Sequence, residues 1–384
     1  MKMSCTSNLL QKSISIVEKA VSQRTALPVL ENILFRVKNN QLALVGNDLE
    51  IAIEHRIPIQ SEGEGTFLVK GKTISSIVSK LQNQELLVDV DSASKCTIKS
   101  DNIDFDILCV NPDEYPQFPV IENGVKIKLT VAELRQLIKY TLFAVSFDET
   151  KQFLNGILMK YEDGFLYFIS TDGYRLSLKR QKIEVLQAPT LSAIVPFKAV
   201  NELNKILQSY AADQVVELNV SENQVSFSMQ DFVLVSRVIQ GQFPDYKHVL
   251  PKESENQFSV VRRFLLDASE RANIIASASN NVVRMQFGQQ LVLKANAASL
   301  GDFKELIEIM RLKGESEIKI AFNIRLVLDV IRVMESEDIK IEFNSEVSPC
   351  VIRPMQDDDF AYIIMPIRTS DYVEQPQATA AAVA

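Results

Sequence analysis

Only two histidines, His55 and His248, occur in the 384 residues. So small a supply nearly excludes a histidine triad or a zinc cluster. The four cysteines, Cys5, Cys96, Cys109 and Cys350, are scattered with no Cys-x-x-Cys spacing. That pattern points to reduced, buried thiols in cytosol and away from disulfides or zinc. Glycine is scarce, with 12 residues, and none falls into Gly-x-x-x-x-Gly-Lys-Ser/Thr or Gly-x-Ser-x-Gly; His-Glu-x-x-His is also missing. The chemistry those motifs carry is therefore not expected, and the chain reads as a non-enzyme without cofactor or metal. Asp357-Asp358-Asp359 reads as a solvated loop rather than a cation site. No apolar run approaches the ~18 residues of a membrane span, and Met1-Lys2-Met3-Ser4-Cys5 has no apolar signal core, so a cytoplasmic protein is expected.

What is present is ordinary globular composition, 46% hydrophobic and 23% charged, over a length that suggests two to four domains. The net charge of −8 argues against a general nucleic-acid binder if it is spread evenly. It is not spread evenly, as the periodicity shows.

The most informative stretch runs from Gln152 to Leu176. Alternating residues from Ile157 to Tyr161, a turn at Glu162-Asp163-Gly164 and a second run from Phe165 to Ser170 form a hairpin signal. A second Asp-Gly, at 172–173, redirects the chain into a third strand from Tyr174 to Leu178, a turn that would present Tyr174 and Arg175 at a surface. The stretch has an echo: Leu30 and Leu154, Ile33 and Ile157, and Asp48 and Asp172 are each 124 apart. A fixed offset over nearly twenty residues marks an internal repeat.

Apolar spacing predicts six helices, over 9–24, 70–82, 131–146, 197–208, 262–277 and 323–334. Thr130 and Glu133 form a capping box before the third, and Asn323 can cap the sixth. Between them lie short strands, among them 42–45, 51–57, 86–90, 105–110, 215–220, 225–229, 233–239, 282–287 and 339–343. Ile77, Leu203 and Val330 recur at 126 and 127 residues. Each unit closes on a Pro after an apolar strand, at Tyr115-Pro116, Phe243-Pro244 and Met365-Pro366. Domains are expected over 1–122, 123–252 and 253–370, with 371–384 a patternless, mobile tail. The six helical windows carry 15 Lys and Arg against 6 Asp and Glu, or +9, and the remainder carries −17. Over the whole chain the helices are basic and the remainder acidic.

Several motifs in this order resemble the bacterial sliding clamp family, the β subunits of DNA polymerase III holoenzyme. They are Arg24-Thr25-Ala26-Leu27-Pro28-Val29-Leu30, Asn47-Asp48-Leu49-Glu50, Phe153-Leu154-Asn155-Gly156, Thr171-Asp172-Gly173-Tyr174-Arg175-Leu176, Gly241-Gln242-Phe243-Pro244-Asp245-Tyr246 and Tyr362-Ile363-Ile364-Met365-Pro366-Ile367-Arg368. The resemblance covers residues 1 to about 368. It implies an α+β fold of three repeated DNA-clamp domains, each with two helices and about eight antiparallel strands, closing into a ring as a head-to-tail homodimer. The charge split fits a basic inner wall, attracted to duplex phosphates without reading sequence.

By the same resemblance, Arg24, Lys72, Lys151, Gln152, Phe153 and Lys198 would face DNA, Gln152 standing where relatives often carry an aromatic. A pocket for partner peptides would be walled by Leu154, Thr171, Gly173, Tyr174, Arg175, Leu176, Pro244, His248, Val249, Asn323, Leu326, Val347, Met365, Pro366, Ile367 and Arg368. His248, Asn280 and Pro349 depart from the family pattern, which suggests altered peptide preference. The ring seam would join the edge strand around Phe105 and Ile107 to the partner copy near Ile274 and Ile275. Implied partners are double-stranded DNA, a second copy, the clamp-loader ATPase complex, and the replicative polymerase and other proteins carrying short linear motifs. A repeat-built protein scaffold that never encircles DNA is the alternative.

Overall fold

The structure, a computed structural model, describes residues 1–22, 25–81, 84–91, 95–183, 191–251, 253–314 and 317–368. The expected tail over 371–384 and the DNA-facing Arg24 lie outside the described residues. Among the described residues six α-helices form: α1 (Ser7–Val17), α2 (Gly71–Val78), α3 (Val131–Thr141), α4 (Phe197–Leu207), α5 (Arg262–Ala276) and α6 (Ile324–Val333). All six coincide with predicted windows, but each is shorter. The first window ends early because a 3-10 turn follows α1 and Val21 is already extended. The Thr130–Glu133 capping box is made in both directions, at 2.8 and 3.2 Å, and Asn323 accepts from the Arg325 amide at 3.0 Å. No helix among the described residues is long and apolar enough to cross a membrane.

The chain divides into two compact units. Unit 1 comprises Met1–Arg135, Lys160–Gly164 and Ile183–Gln240; unit 2 comprises Gln136–Met159, Phe165–Lys182 and Gly241–Ala384. Unit 1 holds an eight-stranded sheet in the order Val125–Thr130, Val215–Val220, Gln224–Ser228, Phe232–Arg237, Ile51–Pro58, Gln41–Asn47, Asn32–Lys38, Gly65–Lys70. It also holds a five-stranded sheet that ends on Ile103–Leu108. Unit 2 runs Phe165–Thr171, Arg175–Lys182, Phe360–Ile364, Cys350–Pro354, Asp338–Phe343, Asn256–Val261, Gly301–Lys313, Gln290–Ala297, Val282–Phe287, Ile318–Asn323. Its core stacks Phe258, Phe287 and Phe343, with centroids 4.8 to 5.9 Å apart. Over them α5 lays a face of small residues, Ala268, Ala272 and Ala276, at helical spacing.

The repeat is written into the backbone. Asp48 accepts from the amides of Glu50 and Ile51 at 3.0 and 2.8 Å, and Asp172 accepts from Tyr174 and Arg175 at 2.9 and 3.0 Å. After each turn the strand pairs with the last strand of the next repeat: Ile51 to His55 opposite Ser236 to Phe232, and Arg175 to Lys179 opposite Ile364 to Phe360. Above each ladder Arg237 donates its amide to the Glu50 carbonyl, and Met365 to the Tyr174 carbonyl. Met365-Pro366 therefore corresponds to Arg237-Val238, not to Phe243-Pro244. The shared proline suggested the wrong alignment because it follows an apolar strand in both places.

Several strand edges are open among the described residues, and two of them bear on self-association. Ile103–Leu108 pairs there on one side only, with Lys95–Ser100. In Gly301–Lys313, residues 309–313 pair with Asn256–Val261, while 301–308 pair only with Gln290–Ala297 among the described residues.

Candidate functional site

Around Arg175 hydrogen bonds link Thr171, Gly173, Tyr174 and Met365, a part of the expected pocket. Gly173 turns the chain at φ 93°, a conformation costly for residues with a Cβ, and Tyr174 projects at 71% exposure. Thr171 fixes the turn, its Oγ1 donating to the Arg175 carbonyl at 2.5 Å and accepting from the Gly173 amide at 3.1 Å. Met365 bonds the Tyr174 carbonyl at 2.9 Å and Ile367 the Ala321 carbonyl at 2.7 Å, so 365–367 is held between that turn and the strand leading into α6. Tyr362 reaches from below, its hydroxyl donating to the Leu326 carbonyl at 2.8 Å. Leu154 and Leu176 are buried, whereas Met365, Arg368 and Pro244 are exposed. Apolar side chains here lie beside fixed backbone polar groups.

Arg175 itself corrects an expectation. It does not stand at a surface: its side chain is 10% exposed. The guanidinium donates to Asp172 Oδ2 at 3.0 Å, Asp329 Oδ2 at 2.6 Å and the Phe143 carbonyl at 2.7 Å. Burial opposes its charge, but Tyr362, Asp329 and Asp172 outweigh it and raise its pKa above the ordinary value. Arg175 thus ties the turn to α6. Asp329 was not foreseen as its partner, because a lone acid on an amphipathic helix reads as solvated.

Two other expected wall residues are tied elsewhere. His248, 85% exposed, ends a 3-10 turn whose start, Asp245, it meets at 2.7 Å; Val249 follows it, half-buried. Val347 is 50% exposed on the loop between Asn344 and Ser348, where the Ser348 hydroxyl accepts from the Asn344 and Ser345 amides. No hydrogen bond or ion pair among the described residues joins either to Met365–Arg368. Asn280 is exposed with φ 42°, directly after α5.

The residues expected to face DNA behave unequally. Lys72, in the first turn of α2, is exposed and makes no ion pair among the described residues. Lys151 and Gln152 are exposed on a kinked 3-10 segment, with Phe153 half-buried beside them. Lys198 is different: its ammonium meets Asp48 Oδ2 at 2.5 Å and Glu50 Oε2 at 3.2 Å. Burial disfavours its charge, yet Asp48 and Glu50 raise its pKa. Its charge is largely spent inside the protein. The aspartate triplet is likewise consumed by ion pairs, Asp357 with Lys179, Asp358 with Arg353 and Asp359 with Arg180. No group of three or more metal-ligating side chains was found among the described residues.

At the expected seam, Phe105 and Ile107 lie half-buried on the open edge strand. Ile274 and Ile275 lie on α5, not on a strand, so neither can join a ladder; Ile274 is 67% exposed and Ile275 packs on the core. One open ladder of unit 2 among the described residues is 301–308, a segment that sequence patterning had not marked.

Comparison with known proteins accounts for all three repeats. Residues 1–119, 128–245 and 247–368 match, in order, the N-terminal, central and C-terminal domains of the DNA polymerase III beta subunit family. The beta sliding clamp of Halalkalibacterium halodurans is 31% identical over 330 residues, covering 83% of this chain and 86% of that protein. The crystal structure of the Bacillus subtilis DNA polymerase sliding clamp superposes with a TM-score of 0.91 at 29% identity, over 96% of this chain and 99% of that one. A Pseudomonas aeruginosa sliding clamp crystallised with bound griselimycin superposes with a TM-score of 0.89 at 26% identity, over 96% and 100%. The chain belongs to the DNA polymerase III beta subunit family.

Proposed function

We propose that the chain is a non-catalytic sliding clamp: two copies join head to tail into a ring that encircles duplex DNA and tethers the polymerase and other partners. The observation that carries this is the inventory of junctions. The chain contains two joints of one design, each a post-turn strand laddered to the last strand of the following repeat. It also contains the two halves of a third, the open edges of Ile103–Leu108 and of residues 301–308. A second copy completes that joint twice over, and closed symmetry satisfies strand groups that otherwise invite aggregation. The three modules are those over 1–122, 123–252 and 253–370.

Enclosure, not grip, retains the DNA. Phosphate attraction to exposed cations such as Lys72 and Lys151 is sequence-independent, whereas a bidentate base contact worth ~1–3 kcal/mol would stop sliding. Partners dock short peptides in the cleft between Tyr174 and Met365, with Leu154, Leu176 and Ile367 as its apolar floor. The clamp-loader ATPase and the replicative polymerase are such partners. The test is retention: the purified chain should run at twice its mass and stay trapped on circular but not linear DNA. Equal loss from both would leave a protein scaffold. Ile274→Ala with Ile275→Ala should weaken the dimer through the helix flanking the seam.

A further inference from the structure

The five-stranded sheet of unit 1 carries a pair of thiols that the clamp function does not use. Antiparallel pairing sets Cys96 opposite Ile107, and Cys109 lies two residues beyond Ile107 on the same face. The two thiols are diagonal neighbours on that face, Cys96 fully buried and Cys109 half-buried. Their mutual interaction raises the Cys96 pKa, with burial adding to it, and lowers that of Cys109 against the effect of burial. A buried thiol beside an accessible, thiolate-favouring one is a resolving and attacking pair.

Position gives the pair a consequence. Cys109 immediately follows Ile103–Leu108, the open edge proposed for ring closure. The next residue, Val110, is locked to Leu68 by two backbone bonds of 3.0 and 3.3 Å. Diagonal neighbours across antiparallel strands have Cα atoms about 7–8 Å apart. Disulfides span less than about 7 Å. Bridging therefore pulls the end of the edge strand inward, out of line for its ladder.

We propose that Cys96 and Cys109 form an oxidisable dithiol, a modification site for hydrogen peroxide, whose bridging loosens the joint between two copies of the chain. The Cys109 thiolate attacks a peroxide oxygen, breaking the O–O bond to give a sulfenic acid and hydroxide, which takes up the proton the thiol released and leaves as one water. The Cys96 thiol then displaces the sulfenic oxygen as a second water, closing the S–S bond. Two thiols lose two electrons and two protons, and the peroxide is reduced to two waters. A thiol reductant reverses it.

This inference rests on the dimer reading, so its test keeps the two apart. The full chain is treated with stepped hydrogen peroxide, and its peptide map and self-association are measured before and after dithiothreitol. The expected result is a Cys96–Cys109 intramolecular bridge and a roughly tenfold weaker dimer, both reversed by reductant. Cys109→Ser should remain fully dimeric at every peroxide step. Cys96→Ala serves as a second variant, with thermal unfolding under reductant confirming that each is folded. Absence of the bridge at peroxide levels that oxidise Cys109, a bridge between chains, or a bridge that leaves self-association unchanged would overturn the proposal. A reduced chain that is monomeric at all concentrations overturns the dimer reading, while the peptide map still decides whether the dithiol exists.

Discussion

Arg175 and Asp329 stand 154 residues apart in sequence, and their side chains meet at 2.6 Å. The bond fastens the turn of the second repeat to the second helix of the third. The same guanidinium also bonds Asp172 and the Phe143 carbonyl, so one side chain holds three segments. Truncating it strands a carboxylate and a carbonyl.

Arg175→Ala should therefore cost about 2–3 kcal/mol of stability, the loss of charge-assisted bonds at a largely buried site. Urea denaturation measures it. Peptide affinity should fall in parallel, because Met365 is registered on the same turn. A change below about 0.5 kcal/mol would mean that the network is dispensable.

Leu49 and Gly173 are counterparts in the repeat, and both have positive φ, 72° and 93°. A residue with a Cβ is penalised by roughly 1–2 kcal/mol in that region. Nothing lies within 4 Å of a Cβ built on Gly173, so Gly173→Ala should lose about 1 kcal/mol through backbone strain alone. Leu49→Gly should gain a similar amount, reduced by the glycine's unfolded-state entropy. Thermal shifts of opposite sign are the expected signature.

His55 sets a pH window. It is 2% exposed, with Nδ1 2.5 Å from Ser13 Oγ and Nε2 3.5 Å from Asp231. Burial lowers its pKa from the ordinary 6.5; Asp231 pulls upward but does not prevail. Below pH 6.5 the unfolded chain takes up a proton that the folded one refuses. The contribution is complete above that pH and is lost as pH falls, with a slope of at most ~1.4 kcal/mol per unit. His55→Gln should flatten the stability profile between pH 5 and 7, and an unaltered slope would assign it to other groups.

Lys72 and Lys198 should part company on DNA. Each phosphate contact contributes about 0.9 to the slope of log affinity against log salt. Lys72→Ala should reduce that slope on nicked circles. Lys198→Ala should change it little, since Asp48 and Glu50 already hold its charge. Equal effects would return Lys198 to the inner wall.

Periodicity and offset carried the fold well. The capping box at Thr130, the helices and the 124-residue echo are local patterns, and local chemistry realises them. The long-range partnerships were not legible. Nothing around Asp329 or Glu50 announces Arg175 or Lys198, because an acid on a helix or turn looks solvated until tertiary contact brings its cation. The strand proposed for the seam was hidden for a related reason: residues 301–308 turn Asp302, Lys304, Leu306 and Glu308 toward solvent, a mostly charged face. The cleft came largely from resemblance, and what geometry added is that Arg175 ties the turn to α6.

The ladders between repeats also determine where an endless DNA circle could enter. Separating two modules of one chain would strip five residue pairs of their amide bonds while a covalent linker still spanned the gap. Parting two chains severs no peptide linkage. In the proposed two-copy ring the doorway therefore belongs at the boundary between molecules, where parting one of two identical junctions is enough.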